Sequence, residues 1–536
     1  MAAVPSAPTV REANRYVPPV LTGLVDLLDQ QVRDRPGDPA LVVTADRVHL
    51  SYRGLAALAD DVAARLGSTG LRRGDPVGLI SANNAEFVVA LLGAARAGLV
   101  IAPIDPTLPE PQVSARLEAL GARAILVGPP AVGASAVGAA TVAPPHVPTW
   151  TLRVDLSDAG TATAVLDGAP VARQARGAAA ELSDRDALVL FTAGTTDRAK
   201  MVPLTHTNVA ASVRGICATY ELGPADATVA VMPFFHGHGL LAGLLATLAS
   251  GGCVLVPERG RFSAHTFWDD VRSVGATWFT AVPTILEILL ERSALEYPGP
   301  GVAPLRFVRS CSAPLNSATA RALERTLGVP VLSAYGMTEC SHQAASEPLP
   351  QHGQLKHGSV GRGTGVQFRI VDRDGHPCPL GGVGEVWVQG PTVARGYLAD
   401  PAETERGFAD GWFRTGDLGS LDEDGYLFLT GRIKSQINRG GEKISPEHVE
   451  DVLAGFPGVA EAAVFAIPDA TYGQRVGAAV VLVPDGEPLG PEQILQYCRT
   501  RLSAFEVPDR LEVVAALPHT AKGALDRRAV EAQFAH

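Results

Sequence analysis

Four short apolar runs in the middle of the chain each end in small or hydroxylated residues, and this pattern limits the possible fold most strongly. The runs are LVLFTAGTT (188–196), ATVAVMPFFHGHG (227–239), LRFVRSCSAP (305–314) and VPVLSAYGMTE (329–339). Ligands of a parallel sheet bind beyond the carboxyl ends of its strands. These four run ends are therefore the first candidates for a binding site.

Helical and strand-like segments alternate from residue 20 to about residue 180, which predicts βαβ units and a largely parallel sheet. The helical segments include LTGLVDLLDQQVRDR (21–35) and AEFVVALLGAARAG (85–98), and LVVTADRVHLSY (41–52) suggests a hairpin. The stretch 132–177 is rich in Ala, Gly, Val and Pro and lacks a steady period. We interpret it as mostly connection, with some short strands inside it.

The sequence pattern changes twice in the second half of the chain. Residues 363–428 alternate in a hairpin-like way, which predicts an antiparallel subdomain. Beyond Arg432 a compact α+β pattern follows, with helices expected at 448–456 and 491–505 and strands at 459–469 and 476–484. We therefore expect an N-terminal domain at 1–431, a hinge at 432–435 and a C-terminal domain at 436–536.

Composition excludes several classes of protein. The 536 residues are 46% hydrophobic with a net charge of −11, so neither a disordered chain nor a nucleic-acid binder with a basic face is expected. The six cysteines stand far apart without metal-site spacing. The apolar stretches 88–104 and 240–257 are interrupted by Arg96 and by Ser250-Gly251-Gly252, which disfavours a membrane span. A reducing cytoplasm is the simplest setting.

The segment LVLFTAGTTDRAK (188–200) combines an apolar strand with a turn of small and hydroxylated residues and a basic pair. Successive backbone N–H groups and threonine hydroxyls in such a turn can hold a phosphate. The Walker order of residues is missing, so this is not a P-loop. Taken alone, a plain loop with exposed threonines explains the segment equally well.

Eight motifs, taken together, resemble the acyl-adenylate-forming superfamily of acyl-CoA synthetases, peptide-synthetase adenylation domains and luciferases. They occur in family order over nearly the whole chain: FTAGTTDRAKMVPLTH (191–206), PFFHGHGL (233–240), RSCSAPL (309–315), AYGMTE (334–339), GWFRTGDLG (411–419), GYLFLTGRIK (425–434), NRGGEKISPEHVE (438–450) and LPHTAKGALDRR (517–528). The resemblance implies an α/β fold. It consists of a large N-terminal domain of layered parallel and mixed sheets with helices and a β-barrel-like subdomain, and a small mobile α+β C-terminal domain.

The resemblance also implies a two-step reaction, in which a carboxylate forms acyl-AMP and the acyl group then passes to the thiol of CoA. Asp417 would accept the ribose hydroxyls beside Arg432, Tyr335 would stack on adenine, and Glu339 would hold Mg²⁺ if ATP is used. The full set of implied nucleotide-binding residues is Thr192, Gly194, Thr195, Thr196, Ser312, Ala313, Pro314, Tyr335, Gly336, Thr338, Asp417 and Arg432.

The remaining implied site residues serve the acyl group and CoA. The acyl pocket would contain Phe235, His236, Gly336, Met337 and His342, and CoA would meet Gly440, Gly441, Glu442 and Lys443. The C-terminal domain would swing about Lys434 and present the Gly440-Gly441 loop to the thiol. The expected catalytic set is His236, Thr338, Glu339, Lys434 and Gly441. His238 is an additional candidate.

The chain departs from its family at residues that serve adenylation. Ala524 occupies the position of the family's catalytic lysine, and Lys522, two residues earlier, would in an extended segment point to the same side from a displaced position, which allows a partial rescue. In the phosphate loop Asp197 replaces a glycine and Ala193 a hydroxyl donor. A carboxylate there repels pyrophosphate. An Ala524 introduced by engineering would not account for Ala193, Asp197 and Ala199.

We therefore hypothesise an enzyme that performs thioesterification, with acyl-AMP and CoA as substrates and with impaired adenylation. This pattern resembles the non-adenylating acyl-CoA ligases of platensimycin- and platencin-type diterpenoid pathways, which work with a separate adenylating ligase. Two alternatives stay open. One is a complete ATP-dependent ligase, either fatty-acid-like or of the oxalate–CoA ligase branch, in which Ser341 and His342 contact a small diacid. The other is a catalytically dead relative that only binds ligands.

Overall fold

The computed structural model of the chain describes residues 23–43, 48–131, 147–156, 162–168, 181–192, 199–299, 304–440, 442–483, 490–519 and 525–535. Its strands, in chain order, are β1 Pro39–Val43, β2 Val48–Ser51, β3 Pro76–Ile80, β4 Val100–Ile104, β5 Ala124–Val127, β6 Thr149–Leu156, β7 Ala162–Gly168, β8 Asp186–Phe191, β9 Met201–Thr205, β10 Ala227–Val229, β11 Cys253–Leu255, β12 Trp278–Ala281, β13 Phe307–Ser310, β14 Val331–Tyr335, β15 Ala345–Ser346, β16 Arg362–Gly363, β17 Gln367–Val371, β18 Gly384–Gln389, β19 Phe408–Ala409, β20 Trp412–Leu421, β21 Leu427–Arg432, β22 Ile437–Arg439, β23 Glu442–Ile444, β24 Val459–Asp469, β25 Gly473–Leu482 and β26 Arg510–Val513.

The α-helices are α1 Asp26–Asp34, α2 Tyr52–Gly67, α3 Ala85–Arg96, α4 Glu110–Leu120, α5 His206–Tyr220, α6 Ala246–Ala249, α7 Ala264–Val274, α8 Pro283–Glu296, α9 Ser317–Leu327, α10 Pro401–Gly407, α11 Pro446–Ala454, α12 Pro491–Arg499 and α13 Arg527–Phe534. A π-helix at His238–Leu245 and 3₁₀ turns at Thr338–Cys340 and Ile433–Ser435 complete the described elements. None of the described helices is long and apolar enough to cross a bilayer.

Two large sheets form the body of the N-terminal part. The first has the strand order β16-β15-β14-β13-β12-β10-β11-β1-β2, and the second has the order β7-β6-β5-β3-β4-β8-β9. Their central strands are parallel, and their edge strands are antiparallel. Helices α2 and α3 pack on each other, α2 against β1 and β2 and α3 against β3, β4 and β6. One continuous apolar core therefore joins both sheets.

Local sequence explains why the central helices begin where they do. The Asn84 side chain accepts the amide of Phe87 at 2.8 Å and so caps α3, whose following residues are apolar on all sides. Thr205 and Asn208 form a capping box at the start of α5. A helix that is apolar all round must be buried, and α3 lies in the core between the sheets.

The predicted runs and hairpins are strands in the structure. The runs at 227–239, 305–314 and 329–339 contain β10, β13 and β14, which lie in the same sheet with β12 between β10 and β13. The expected antiparallel subdomain is a sheet of β17, β18, β19, β20 and β21. A fourth sheet, made of β22 to β26, forms the small C-terminal domain with α11 and α12.

Two predicted helices are shorter than their patterns suggested. Helix α1 begins at Asp26 and not at residue 21. Helix α12 ends at Arg499, where the amides of Thr500 and Arg501 bind the carbonyls three residues back, and the side chain of Glu506 then holds the Ser503 amide. The expected connection at 132–177 contains β6 and β7, and its remaining segments lie outside the described residues.

Gly361 joins the first large sheet to the antiparallel subdomain and gives a stability prediction. Its φ is +85°, and a Cβ there would lie 1.9 Å from the Ser346 carbonyl carbon. We expect Gly361→Ala to destabilise the fold by about 3 kcal/mol or more, since left-handed strain adds to overpacking. Gly365 is the matched control because its φ is +79° with open space around its Cβ position. Thermal melting of both variants tests this, and equal shifts would contradict it.

Candidate active site

The candidate site lies where strands of the first sheet end. β13 leads into Cys311–Pro314, β14 leads into Gly336–Glu339, and the chain after β10 leads through Phe234 into the π-helix. Gly336 has no room for a side chain, because a Cβ there would lie 2.5 Å from the His342 carbonyl carbon and oxygen. The backbone after the 3₁₀ turn therefore packs directly on the end of β14.

Three of the predicted nucleotide residues form one connected group. The Tyr335 hydroxyl donates to Asp417 Oδ2, and Arg432 Nε lies 2.8 Å from Asp417 Oδ1. Asp417 and Arg432 face each other across β20 and β21. Asp417 is 5% exposed, and burial raises the pKa of its carboxyl although Arg432 and Tyr335 oppose that shift. The antiparallel subdomain thus places the buried Asp417 carboxylate next to the end of β14.

Glu339 is surrounded by partners that sequence reasoning missed. Its Oε1 accepts the Tyr397 hydroxyl at 2.8 Å, and burial raises the pKa of its carboxyl. The Lys200 ammonium lies 4.5 Å from the centre of the Tyr397 ring and is paired with Glu403. A single carboxylate of this kind suits Mg²⁺, which keeps water and phosphate oxygens as its other ligands. Thr338 lies half-buried beside it in the 3₁₀ turn.

The predicted acyl-pocket residues converge around a histidine cluster. The rings of His238 and His342 stack with centroids 5.1 Å apart, and those of Phe235 and His236 lie 4.7 Å apart. Burial, with the charge of Arg309, lowers the pKa of His342 to about 3 and holds that of His238 well below its usual value. Both buried rings are therefore neutral at physiological pH.

Backbone strain is concentrated at this cluster. Of the six non-glycine residues with positive φ among the described residues, three belong to it, namely Ser312 at 75°, Ser341 at 49° and His342 at 58°. Such conformations cost free energy and persist only where surrounding contacts fix them. Gly237 gives the His342 side chain its space, since a Cβ there would lie 2.9 Å from His342 Cβ. Met337 packs partly buried at the edge of the neighbouring core.

Arg309 is a buried residue of the site that sequence reasoning did not single out. It lies in the middle of β13 and is 0% exposed. Its Nη1 donates to Thr280 Oγ1 and its Nη2 to Gln343 Oε1, both at 3.1 Å. No salt bridge joins it to a carboxylate within the part of the chain that the structure describes. An arginine inside an apolar run was the signal that could have revealed it.

Some of the other predicted residues lie within the described structure, and some lie outside it. Thr192 lies at the end of β8, where its amide binds the Lys200 carbonyl at 3.0 Å, and Ala313 and Pro314 are exposed after β13. Lys434 is exposed in the 3₁₀ turn, Gly440 has a φ of +61°, and Glu442 and Lys443 lie in β23. Gly194, Thr195, Thr196, Gly441 and Ala524 lie outside the described residues, as do Ala193, Asp197 and Lys522.

Comparison with known proteins identifies the family. The profile of the AMP-binding enzyme family matches residues 28–398, and that of the AMP-binding enzyme C-terminal domain matches 448–524. The oxalate–CoA ligase of Arabidopsis thaliana is 41% identical over 517 residues, which cover 95% of this chain and 98% of that protein. The sulfoacetate–CoA ligase of Cupriavidus necator is 34% identical over 96% of this chain and 98% of that protein. The chain belongs to the AMP-binding enzyme family.

Solved structures agree with this assignment. ATP-bound MatB from Rhodopseudomonas palustris has a TM-score of 0.79 and is 28% identical, over 96% of this chain and 99% of that one. The predicted resemblance to the acyl-adenylate-forming superfamily is confirmed, and this AMP-binding enzyme groups with the acyl-CoA ligases of that superfamily. The α/β architecture with a large N-terminal domain and a small C-terminal one is confirmed as well.

The Tyr335 hydroxyl gives a prediction about nucleotide binding. Its hydrogen bond stabilises the ionised form of Asp417, which is the form that can accept ribose hydroxyls. We expect Tyr335→Phe to weaken AMP binding about tenfold, and to move the loss of binding at low pH to higher pH. Calorimetric titration with AMP from about pH 5 to 8 measures both effects.

Tyr426→Phe is the matched control for this experiment. Its hydroxyl is also buried and donates to the Gln354 carbonyl at 2.6 Å, away from the nucleotide group. This variant is expected to lose stability and to keep the AMP affinity and its pH profile. An unchanged affinity and pH profile in Tyr335→Phe would contradict the assigned role of Asp417.

Proposed function

We propose that this AMP-binding enzyme is an acyl-CoA ligase that performs the thioesterification half-reaction with impaired adenylation. The observation that carries the proposal is a contrast between two groups of residues. The residues that would hold the ribose and adenine are present, and Asp417 contacts both Tyr335 and Arg432. The positions that would serve ATP and the attacking carboxylate instead read Ala193, Asp197 and Ala524.

The proposed reaction needs no metal and no external base stronger than water. The CoA sulfur attacks the acyl carbonyl carbon of acyl-AMP, the bond from that carbon to the phosphate oxygen breaks, and AMP leaves as an anion. The thiol proton passes to solvent. Thr338 and Glu339 would position the phosphate, and the neutral histidines would line the acyl group without adding charge.

Adenylation places a heavier electrostatic demand on the site. Charge develops on the carboxylate and the α-phosphate, where one preorganised cation is worth roughly 3–4 kcal/mol. Ala524 supplies no such cation. Asp197 would add a negative charge near the departing pyrophosphate, which raises the barrier further. If ATP is used, Glu339 is the residue that would hold Mg²⁺.

The hinge and the moving domain are part of this proposal. We infer that residues 432–435 separate an N-terminal domain at 1–431 from a C-terminal domain at 436–536. The 3₁₀ turn Ile433–Ser435 and the separate apolar core of the C-terminal part, which begins at Ile437, support this boundary. Rotation about Lys434 would bring the loop of Gly440 and Gly441 to the thiol. A separate adenylating ligase would supply acyl-AMP.

A complete ATP-dependent ligase for a small diacid is the second candidate. The buried cation of Arg309 behind His238 and His342 favours it, because such a pocket suits an acid with a second anionic group. The names of two relatives also favour it, since oxalate and sulfoacetate both carry two acidic groups. In that case Lys522 would replace the missing cation.

The decisive experiment compares two sets of substrates with the same enzyme. One set is free acid with ATP, Mg²⁺ and CoA, and the other is synthetic acyl-AMP with CoA alone. The acids tested include short dicarboxylic acids, linear fatty acids and bulky polycyclic acids. We expect acyl-CoA, followed by mass spectrometry, only from acyl-AMP. Comparable product from both sets would establish the complete ligase, and no product from either would favour a ligand-binding relative.

Restoring the lysine tests the cause of the impaired step. We expect Ala524→Lys to raise ATP–pyrophosphate exchange by about two orders of magnitude, because it returns a cation to the developing charge. Ala524→Met has a similar length without charge and is the control, expected to show no gain. Thioester formation from acyl-AMP should change little in either variant. Equal exchange in the wild type and Ala524→Lys would contradict the proposed cause.

A further inference from the structure

The ammonium of Lys200 is already paired with a carboxylate in the structure. Lys200 ends the phosphate-loop segment directly before β9, and its carbonyl accepts the Thr192 amide at 3.0 Å. It therefore stands at the base of the turn that can hold a phosphate. Its ammonium donates to Glu403 and lies 4.5 Å from the centre of the Tyr397 ring. The side chains of Lys200 and Glu403 are only 22% and 24% exposed, so water screens the pair in part.

Local contacts of helix α10 fix Glu403 in front of this ammonium. The side chain of Asp400 caps the helix and accepts the Glu403 amide at 3.0 Å. Thr404 Oγ1 accepts the Tyr397 amide at 2.9 Å, and the amide of Leu398 binds a carbonyl of β9 at 2.8 Å. The helix and the segment before it thus form one unit that is anchored to β9. This unit presents a carboxylate and an aromatic ring to the same cation.

The charge of Glu403 is balanced chiefly by Lys200. The hydrogen bond from Lys200 is the main cause that lowers the pKa of Glu403, and the charges of Arg406 and of Lys434 in the hinge turn act in the same direction. Arg406 also forms an ion pair with Glu403. The carboxylate is therefore ionised at physiological pH. A lysine carries one charge and has no acceptor, so a phosphate group that recruits Lys200 has to replace Glu403 as its partner.

We propose that Glu403 is a positioning residue that holds Lys200 away from the β- and γ-phosphates of ATP. ATP then competes with Glu403 for this cation, whereas acyl-AMP lacks those two phosphates and binds without that competition. Glu403 thus favours the substrate that arrives already adenylated. The inference deepens the proposed function and rests on it for the place of the nucleotide. Its effect is on nucleotide binding, while the missing lysine at Ala524 concerns the barrier of adenylation.

The affinities for two nucleotides test the competition. Calorimetric titrations of the wild type and of Glu403→Gln are made with ATP and Mg²⁺ and, separately, with AMP. We expect Glu403→Gln to bind ATP about fivefold more tightly, because the ion pair with Lys200 no longer has to be broken, and to bind AMP as before. Glu405→Gln removes the same charge from an exposed position of the same helix and should change neither affinity. Glu403→Asp keeps the carboxylate and should stay close to the wild type.

The acylation rate of Lys200 gives a readout that a merely structural role would not move. The chain has five lysines, so mass spectrometry can follow each one after brief treatment with an amine-acylating reagent. Lys200 should react about threefold faster in Glu403→Gln, because an ammonium without its carboxylate loses its proton more readily. Lys356, paired with Asp422 and Asp424, is the internal control and should react at the same rate in both proteins. ATP with Mg²⁺ should protect Lys200 in Glu403→Gln and leave it unprotected in the wild type.

The outcomes separate this inference from the proposed function. An unchanged ratio of ATP to AMP affinity in Glu403→Gln, or an equal gain in Glu405→Gln, would overturn the inference and leave the proposed ligase intact. Strong protection of Lys200 by ATP in the wild type would overturn it as well, whether or not the variant folds. Failure of the wild type to bind AMP would count against the proposed function, and with it against the inference. A selective gain in ATP affinity, together with ATP-dependent protection of Lys200 in Glu403→Gln alone, would support it.

Discussion

The buried guanidinium of Arg309 is the interaction on which the rest of the site depends. A charge removed from water is costly unless hydrogen bonds compensate it, and removing one partner leaves it uncompensated. The two Nη atoms of Arg309 meet this requirement through Thr280 on β12 and Gln343 beyond the 3₁₀ turn. Gln343 extends the network to Ser346 and Thr364 at 2.9 and 3.0 Å. The need to satisfy one cation thus fixes three separate segments around the pocket, including the strained backbone at Ser341 and His342.

Sequence patterns predicted the strands of this site better than its contacts. Apolar runs ending in small residues located β10, β13 and β14, because buried parallel strands leave a strong local signal. The group of Tyr335, Asp417 and Arg432 followed from motifs, and the structure does bring the three together. Arg309 was missed because its partners, Thr280 and Gln343, are 29 and 34 residues away along the chain. Tyr397 and Glu403 were missed for the same reason, since Glu403 is 203 residues from Lys200. The end of helix α12 was also not predicted, because a backbone turn at Cys498 sets it and the hydrophobic periodicity does not show that turn.

The proposed separation of the two half-reactions is compatible with the fold. The ribose group depends on β20, β21 and β14, whereas the phosphate loop and the final motif lie on other segments of the chain. Substitutions in the latter two can therefore remove adenylation without disturbing the buried Asp417. Lys200 is a point of contact between the phosphate-loop motif and the nucleotide group, because its ammonium is held by Glu403 and the Tyr397 ring within the described structure. The same pair of contacts keeps Tyr397 close enough to bind Glu339, so this basic residue of the phosphate-loop motif also serves the neighbouring carboxylate.

Charges between α8 and the C-terminal part bear on the proposed movement of the C-terminal domain. Besides burial, the carboxylates of Glu461 in β24 and of Glu291 raise the pKa of Glu287 of α8, and His519 lowers it. His519 Nε2 lies 3.7 Å from Glu461 Oε2, so it is shared between the two sides. Burial, with these like charges, raises the pKa of Glu287. A carboxyl whose pKa is raised by a contact weakens that contact as pH rises through the raised pKa. Deprotonation of Glu287 therefore lowers the cost of separating α8 from the segment that ends at His519. That segment leads directly into residues 520–524, which include Ala524, the position of the lysine on which the proposed loss of adenylation rests.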